Sequence, residues 1–134
     1  MSYDMVDIAS SGLQAERIKM DVIASNIANA NATHNADGDY SPYRRKEVQF
    51  QTIFDQELDR QLGVKVQAVV EDSTDLNKVY EPSNPDADER GYVLYPNVQI
   101  SREMVDMMSA KSSYDANIAV IRTYKQMYGK ALEM

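Results

Sequence analysis

The only histidine, His34, sits among Asn, Ala and Thr, and the chain has no Cys and no second His to complete a zinc ligand set. His34 therefore reads as a solvated loop histidine. The run Asp86-x-Asp88-x-Arg90-Gly91 places oxygens and a glycine where a calcium-binding loop has its positions 1, 3 and 6. Position 5, however, is Arg90, and position 12 falls on Asn97 where a bidentate Glu is needed. The run reads as a solvated acidic turn in which Gly91 supplies a positive φ. Arg44-Arg45-Lys46 is the one tight basic cluster, and in so acidic a chain it is the best candidate for a charge-paired contact with another protein. Ser10, Ser11, Ser109, Ser112 and Ser113 all fall in helical segments without an evident base. There is no Gly-rich phosphate loop and no nucleophile elbow. Acidic pairs abound, but none lies on a pocket-forming element. No residue is assigned a catalytic, metal-binding or cofactor-binding role, and the chain is not read as an enzyme.

Composition narrows the classes further. With 134 residues, 43% of them hydrophobic, the chain makes one compact domain or a small domain with helical extensions. The absence of Cys excludes disulfide scaffolds and thiol chemistry. Nine Tyr and eight Met suit surfaces that pack against partners as well as ordinary cores. The net charge of −7 is unevenly placed: −2 over 2–32, −6 over 33–97 and +1 over 98–134. An acidic middle stays solvated, near-neutral ends can lie side by side, and neither is the basic face that nucleic acid requires. Met1-Ser2-Tyr3-Asp4-Met5 lacks the basic and apolar regions of a cleavable signal. No stretch has the length and apolarity of a membrane span, so composition alone predicts a soluble, cytoplasmic protein without membrane insertion.

Those ends are the longest elements. Met5, Ile8, Gly12, Ala15, Ile18, Val22, Ser25 and Ala28 recur at steps of three or four, which predicts a helix from Ser2 to about residue 28 or 30. The following Asn26-Ile27-Ala28-Asn29-Ala30-Asn31 is poor helix interior, and it predicts a frayed or capped C-terminus. The middle alternates: Glu47-Val48-Gln49-Phe50, 63–70 and Tyr92-Val93-Leu94-Tyr95 are predicted strands. Between the first two, 53–62 is a short helix or an irregular loop. A second helix is predicted from Ser101 as N-cap, with Met104, Met107, Ala110, Tyr114, Asn117, Ile121, Tyr124, Tyr128 and Ala131 as its stripe. About 30 residues span about 45 Å, longer than so small a core can cover, which points to packing between helices or between chains. The organisation is therefore an N-terminal helix over 1–34, a β/loop insertion over 35–97 and a C-terminal helix over 98–134.

Taken together, Ser11-Gly12-Leu13-Gln14-Ala15-Glu16-Arg17 and Ile23-Ala24-Ser25-Asn26-Ile27-Ala28-Asn29-Ala30-Asn31-Ala32-Thr33 resemble the N-terminal motif of flagellar rod and hook proteins. Pro42-Tyr43-Arg44-Arg45-Lys46, the Asn84-Pro85-Asp86-Ala87-Asp88 loop, Tyr95-Pro96-Asn97-Val98 and Glu103-Met104-Val105-Asp106-Met107-Met108-Ser109-Ala110 narrow it. With them the chain is similar to the C-type subunits of the bacterial flagellar proximal rod. The resemblance implies an α+β, mainly α fold whose terminal helices pack as an antiparallel coiled coil around a small β/loop middle. It implies a structural subunit of the tubular drive shaft, which transmits torque and encloses the export channel. It also implies residence in the basal body across the periplasm, and delivery by the flagellar type III apparatus rather than by a signal peptide. Expected partners are other copies, other rod proteins, and components of the rod base, export apparatus and MS ring. The alternatives are another flagellar axial subunit, or a small acidic helical module that dimerises.

Within that reading, the helix seam is expected to use Ile8, Leu13, Ala15, Ile18, Val22, Ile23 and Ile27 from the first helix. From the second it is expected to use Met104, Met107, Met108, Tyr114, Ile118, Ile121 and Tyr128. Asn26, Asn29 and Asn31 are expected to satisfy buried polar groups at the junction. Arg44, Arg45 and Lys46 are expected to face acidic surfaces on neighbouring subunits.

Overall fold

The computed structural model describes residues 3–57 and 59–133. The first helix, α1, spans Tyr3–Ala28, and its expected start at Ser2 lies outside the described residues. The Asn-rich exit closes it. Both the backbone N–H and the side-chain amide of Asn29 donate to the Ser25 carbonyl, at 3.0 and 2.8 Å. The Ala30 N–H reaches back to Ile27 at 3.3 Å, tightening the last turn.

Two strands follow, β1 (Lys46–Asp55) and β2 (Arg60–Glu71), paired as one antiparallel hairpin with register shifts at Gln49/Phe50 and Ile53/Phe54. The segment 53–62, expected as a helix or an irregular loop, is therefore the hairpin's far end. Ile53 pairs with Gly63 and Asp55 with Arg60, and the Asp55 carboxylate accepts the Glu57 N–H at 2.9 Å to hold the turn. Bulges hid this continuity, because each shifts the alternation by one residue. One face of the hairpin lies on α1. The Ser11 hydroxyl donates to the Ile8 carbonyl at 2.7 Å and accepts the Val64 N–H at 3.1 Å. Beside it Gly63 has φ +140°, and a Cβ there would collide with the Ser11 side chain.

A second antiparallel pair joins β3 (Asn77–Tyr80) to β4 (Tyr92–Tyr95). β4 is the predicted third strand. β3 escaped sequence reading because all four of its side chains are exposed and carry no apolar alternation. The acidic run between them is a turn network. Asp88 accepts the N–H groups of Arg90 and Tyr92, each at 2.9 Å, and Gly91 has φ +85°. Asp88 is held below the ordinary carboxylate range, first by the Tyr92 N–H.

The second helix, α2, spans Ile100–Glu133, which at 1.5 Å per residue is about 50 Å. It starts before the expected N-cap Ser101, since the Glu103 N–H already bonds the Gln99 carbonyl at 3.0 Å. It packs along α1, and two contacts fix the register. Asn26 donates to Glu103 at 3.3 Å, and a Cβ on Gly12 would stand 2.7 Å from the Asn117 amide nitrogen. Glycine there lets the helices approach closely. The buried apolar residues are few and small: Ala9, Ala15, Ile23, Ala30, Val93, Val98 and Ala110. The fold is thus α+β and mainly α, two terminal helices with a small two-sheet β middle.

Gly63 and Gly38 separate backbone strain from crowding, because Gly38 (φ +84°) has open space around its Cβ position. Gly63→Ala is expected to lower the urea midpoint clearly more than Gly38→Ala, whose cost is limited to about 1 kcal/mol of conformational strain. Equal midpoints for the two variants would show that the hairpin does not press on α1 at Ser11.

Candidate assembly interface

The residue that joins the elements is Arg45, immediately before β1. It is buried, and its guanidinium meets four carboxylates from three parts of the chain. Nε donates to Glu103 and Nη1 to Glu47. Asp72 lies at 3.2 Å from Nη1 and Asp106 at 3.7 Å from Nη2. Burial works to lower the Arg45 pKa, but its hydrogen bonds to Glu103 and Glu47, with their charges, outweigh this and hold it above its ordinary value. Glu103 has no exposed surface at all. A buried carboxylate is tolerated because a cation and an amide both reach it.

Asparagines complete the junction. Asn26, also fully buried, donates to the Lys46 carbonyl at 2.9 Å and to Glu103. Its side-chain oxygen accepts from the Lys46 N–H at 3.0 Å and the Tyr43 hydroxyl at 2.8 Å. Asn97 accepts the Arg45 N–H at 2.7 Å and donates to the carbonyls of Asp72 and Thr74. Arg44 donates to the same two carbonyls, at 3.4 and 3.1 Å. Asp72 in turn is held below its ordinary value, first by the Thr74 N–H, with Arg45 assisting, against a smaller opposing effect of burial.

Several sequence expectations change here. Arg45 was expected to face a neighbouring subunit. It turns inward instead, because Glu103 would otherwise be a buried charge without a partner. Arg44 likewise binds carbonyls of its own chain. Lys46 alone of the three is exposed, with its ammonium 5.8 Å from the Tyr43 ring. Asn26 lies in the junction, Asn29 bonds only locally at the helix end, and Asn31 is exposed. His34 is exposed in its loop, as expected of a solvated histidine. Its ring edge meets Tyr40, and Nε2 lies 3.4 Å from Asp86. Asn97, Asp72 and Glu103 were not singled out as junction residues. Glu103 was read only as a first-turn acid, and Asn97 only as part of a motif.

The expected seam divides in two. Ala15 and Ile23 are buried, and Leu13, Val22, Ile27, Met107, Tyr114, Ile118 and Ile121 are half-buried. Leu13, Ile118 and Ile121, with Arg122 and Lys125, line an open groove of about 330 Å³ between the helices. Ile8, Ile18, Met104, Met108 and Tyr128 are exposed, as are Met5, Val105, Met127 and Leu132. Met104 was expected inside, but Glu103 occupies that side of the helix, and Met104 is left 53% exposed. Among the described residues no group of three or more His, Asp and Glu is placed to hold a metal ion, and no helix is long and apolar enough to cross a membrane.

Two terminal helices tied by a buried ionic junction, with large apolar side chains turned away from the chain's own core, define a subunit of a larger assembly. Comparison with known proteins makes this specific. Residues 7–36 match the family described as flagella basal body rod protein, and residues 89–134 match the C-terminal family of the flagellar basal body rod FlgEFG proteins. The matched segments contain most of α1 and all of α2. The chain is 40% identical to the flagellar basal-body rod protein FlgC of Bacillus subtilis, over 99% of this chain and 97% of that protein. It is 46% identical to the FlgC protein of Salmonella typhimurium, over 98% and 96%. It is 37% identical to that of Borreliella burgdorferi, over 97% and 95%. The chain belongs to the flagellar basal-body rod protein family, and with that family it is a structural component of the bacterial flagellar basal body.

Two tests address the junction. Arg45→Met alone leaves Glu103 without its cation and is expected to cost about 3–5 kcal/mol. Arg45→Met with Glu103→Leu removes both charges and is expected to recover much of that loss in urea denaturation; a double variant as unstable as the sum of the singles would show that the two are not coupled. The second test is pH. A depressed Asp72 is ionised more fully in the folded than in the unfolded chain. Its contribution is therefore complete above the ordinary carboxylate value near about 4 and is lost as pH falls through its lower folded value. Asp72→Asn is expected to flatten the acid limb of a stability-against-pH curve, and an unchanged limb would remove Asp72 from that role.

Proposed function

We propose that this chain assembles through its terminal helices into the tubular rod, the drive shaft that transmits torque and encloses the export channel. The carrying observation is the set of large apolar side chains on both helices that remain exposed, among them Ile18, Met104, Met108 and Leu132. In this reading 1–34 and 98–134 form one helical domain, an antiparallel coiled coil, with 35–97 as an inserted β module. Two features support the coiled coil. Asn26 and Gly12, fourteen residues apart on α1, meet Glu103 and Asn117, which are also fourteen apart on α2 but in the opposite direction. The buried and half-buried residues Glu103, Met107, Ala110, Tyr114, Asn117, Ile121 and Tyr124 alternate steps of four and three, the spacing of a coiled-coil seam.

Neighbours in the rod are other copies and other rod proteins, with rod-base, export-apparatus and MS-ring components at its proximal end. The subunit reaches the periplasm through the flagellar type III apparatus, acts mechanically rather than enzymatically, and does not insert into the membrane or bind nucleic acid. The uncovered helix faces then become intersubunit contacts, and the junction at Arg45 keeps the helices in register under load.

Ile18→Asp separates folding from assembly, since Ile18 is partly exposed and lies outside the junction. The variant is expected to keep wild-type helicity and urea midpoint. Its recovery in purified basal bodies is expected to fall by about tenfold or more, because assembly would place a charge in an apolar contact. Wild-type recovery would remove that face of α1 from the interface.

A further inference from the structure

The β3–β4 sheet has two outer edges, and the chain treats them differently. In an antiparallel pair every second residue turns its backbone groups outward. On β4 these residues are Tyr92 and Leu94, and all four of their groups are taken. The Tyr92 N–H donates to the Asp88 carboxylate, and the Tyr92 carbonyl accepts the Asp88 N–H, each at 2.9 Å. The Tyr40 hydroxyl accepts the Leu94 N–H at 2.9 Å and donates to the Leu94 carbonyl at 2.8 Å. The β4 edge is therefore closed to a further strand.

On β3 the outward residues are Lys78 and Tyr80, opposite Leu94 and Tyr92. Among the described residues nothing bonds their outward N–H and carbonyl groups, and the whole strand is exposed. Beside the strand lies an open groove of about 530 Å³, lined by Asn77, Val79 and Glu81 from one face of β3 and by Val98 and Ile100. Val79 and Ile100 are exposed within it. The Glu81 carboxylate is already oriented, accepting from the Asn84 amide at 3.0 Å and the Tyr95 hydroxyl at 2.8 Å. Lys78 lies on the other face of the strand, its ammonium 4.4 Å from the centre of the Tyr92 ring. The surrounding 71–90 segment holds seven acidic and two basic residues.

We propose that β3 is a receiving edge for an extended segment of a different protein, one that presents apolar side chains and a basic one on the same face. Such a segment adds a strand to the sheet through the free backbone groups of Lys78 and Tyr80, and every second side chain then enters the groove. Its apolar side chains meet Val79, Val98 and Ile100, and its ammonium or guanidinium meets Glu81. Charge selects against a second copy as the occupant. Residues 33–97 carry a net −6, and pairing β3 with β3 would bring two such segments together. The closed β4 edge fixes the side on which the segment joins. The surface is separate from Ile18, Met104, Met108 and Leu132, on which the rod reading rests, and takes its partner whether or not those side chains enter an assembly.

The probe is a synthetic peptide, acetyl-Thr-Val-Thr-Val-Thr-Lys-Thr-amide, with a control that carries Glu in place of Lys, each added to the full chain at millimolar concentration. The lysine peptide is expected to slow amide exchange at Lys78 and Tyr80 several-fold, to leave Tyr92 and Leu94 unchanged, and to bind about tenfold tighter than the glutamate peptide. Tyr80→Pro removes one outward donor and no ladder bond, and is expected to weaken binding several-fold at wild-type helicity. Glu81→Gln keeps an acceptor for Asn84 and Tyr95, and is expected to erase the preference between the two peptides. Absence of protection at Lys78 and Tyr80 in the wild-type chain overturns the proposal, as does equal binding of the two peptides. Protection of those two amides that rises with the concentration of the chain alone assigns the edge to a second copy and overturns it as well.

Discussion

Arg45 stands where the chain, having left α1 and crossed a loop, turns into β1, and its guanidinium reaches the first turn of α2 at Glu103. Three segments distant in sequence are tied at that one group. Its backbone N–H is held by Asn97, just before α2, and the next backbone amide is held by Asn26 from α1. Taking Arg45 away would leave Glu103 as a charge with no exposed surface and only an amide donor. That is among the more costly states a protein interior can hold. The loop at Asp72 and Thr74 is drawn into the same place by the Asn97 side chain and by Arg44. The positions of both sheets relative to the helices therefore follow from the polar junction more than from apolar packing.

That dependence reflects how little apolar material is buried. Among the described residues, alanines at 9, 15, 30 and 110 make up much of the buried apolar set. Alanine contributes small apolar area but allows close helix contact, and Gly12 against Asn117 does the same further along. The larger apolar side chains, from Met5 to Leu132, lie mostly outside. A free-standing domain of this length would bury them. Here they stay exposed, and the chain uses directional hydrogen bonds where a larger core would use volume.

Much of this was legible in the residues, and the boundary of legibility has physical reasons. The two helices showed through their three-and-four spacing, and the turn at Gly91 showed through its neighbours, because these signals are local. The exit from α1 was marked by asparagines, but which of them was structural was not: Asn26 is fully buried while Asn31 is exposed, and composition does not distinguish them. Arg45 looked like one member of a basic surface cluster with Arg44 and Lys46. Its partners lie 58 residues away at Glu103 and 27 away at Asp72, and no spacing rule connects them. The hairpin's far end was obscured because bulges break strand alternation, and β3 because an exposed edge carries no pattern.

The chemistry of the junction also fits what surrounds it. A subunit that leaves Met104, Val105, Met108 and Leu132 exposed is open to misdirected apolar contacts while it folds. An apolar junction could be satisfied as well by a neighbour's methionines as by the chain's own residues. The network of Arg45, Glu103, Asn26 and Asn97 cannot, since each donor and acceptor has a fixed direction and a lost partner leaves a buried charge or amide unpaired. Polar groups thus specify the fold of the single chain, while apolar groups remain free to specify its neighbours. The separation is between two kinds of interaction, and it lets the same pair of helices serve both ends without one competing with the other.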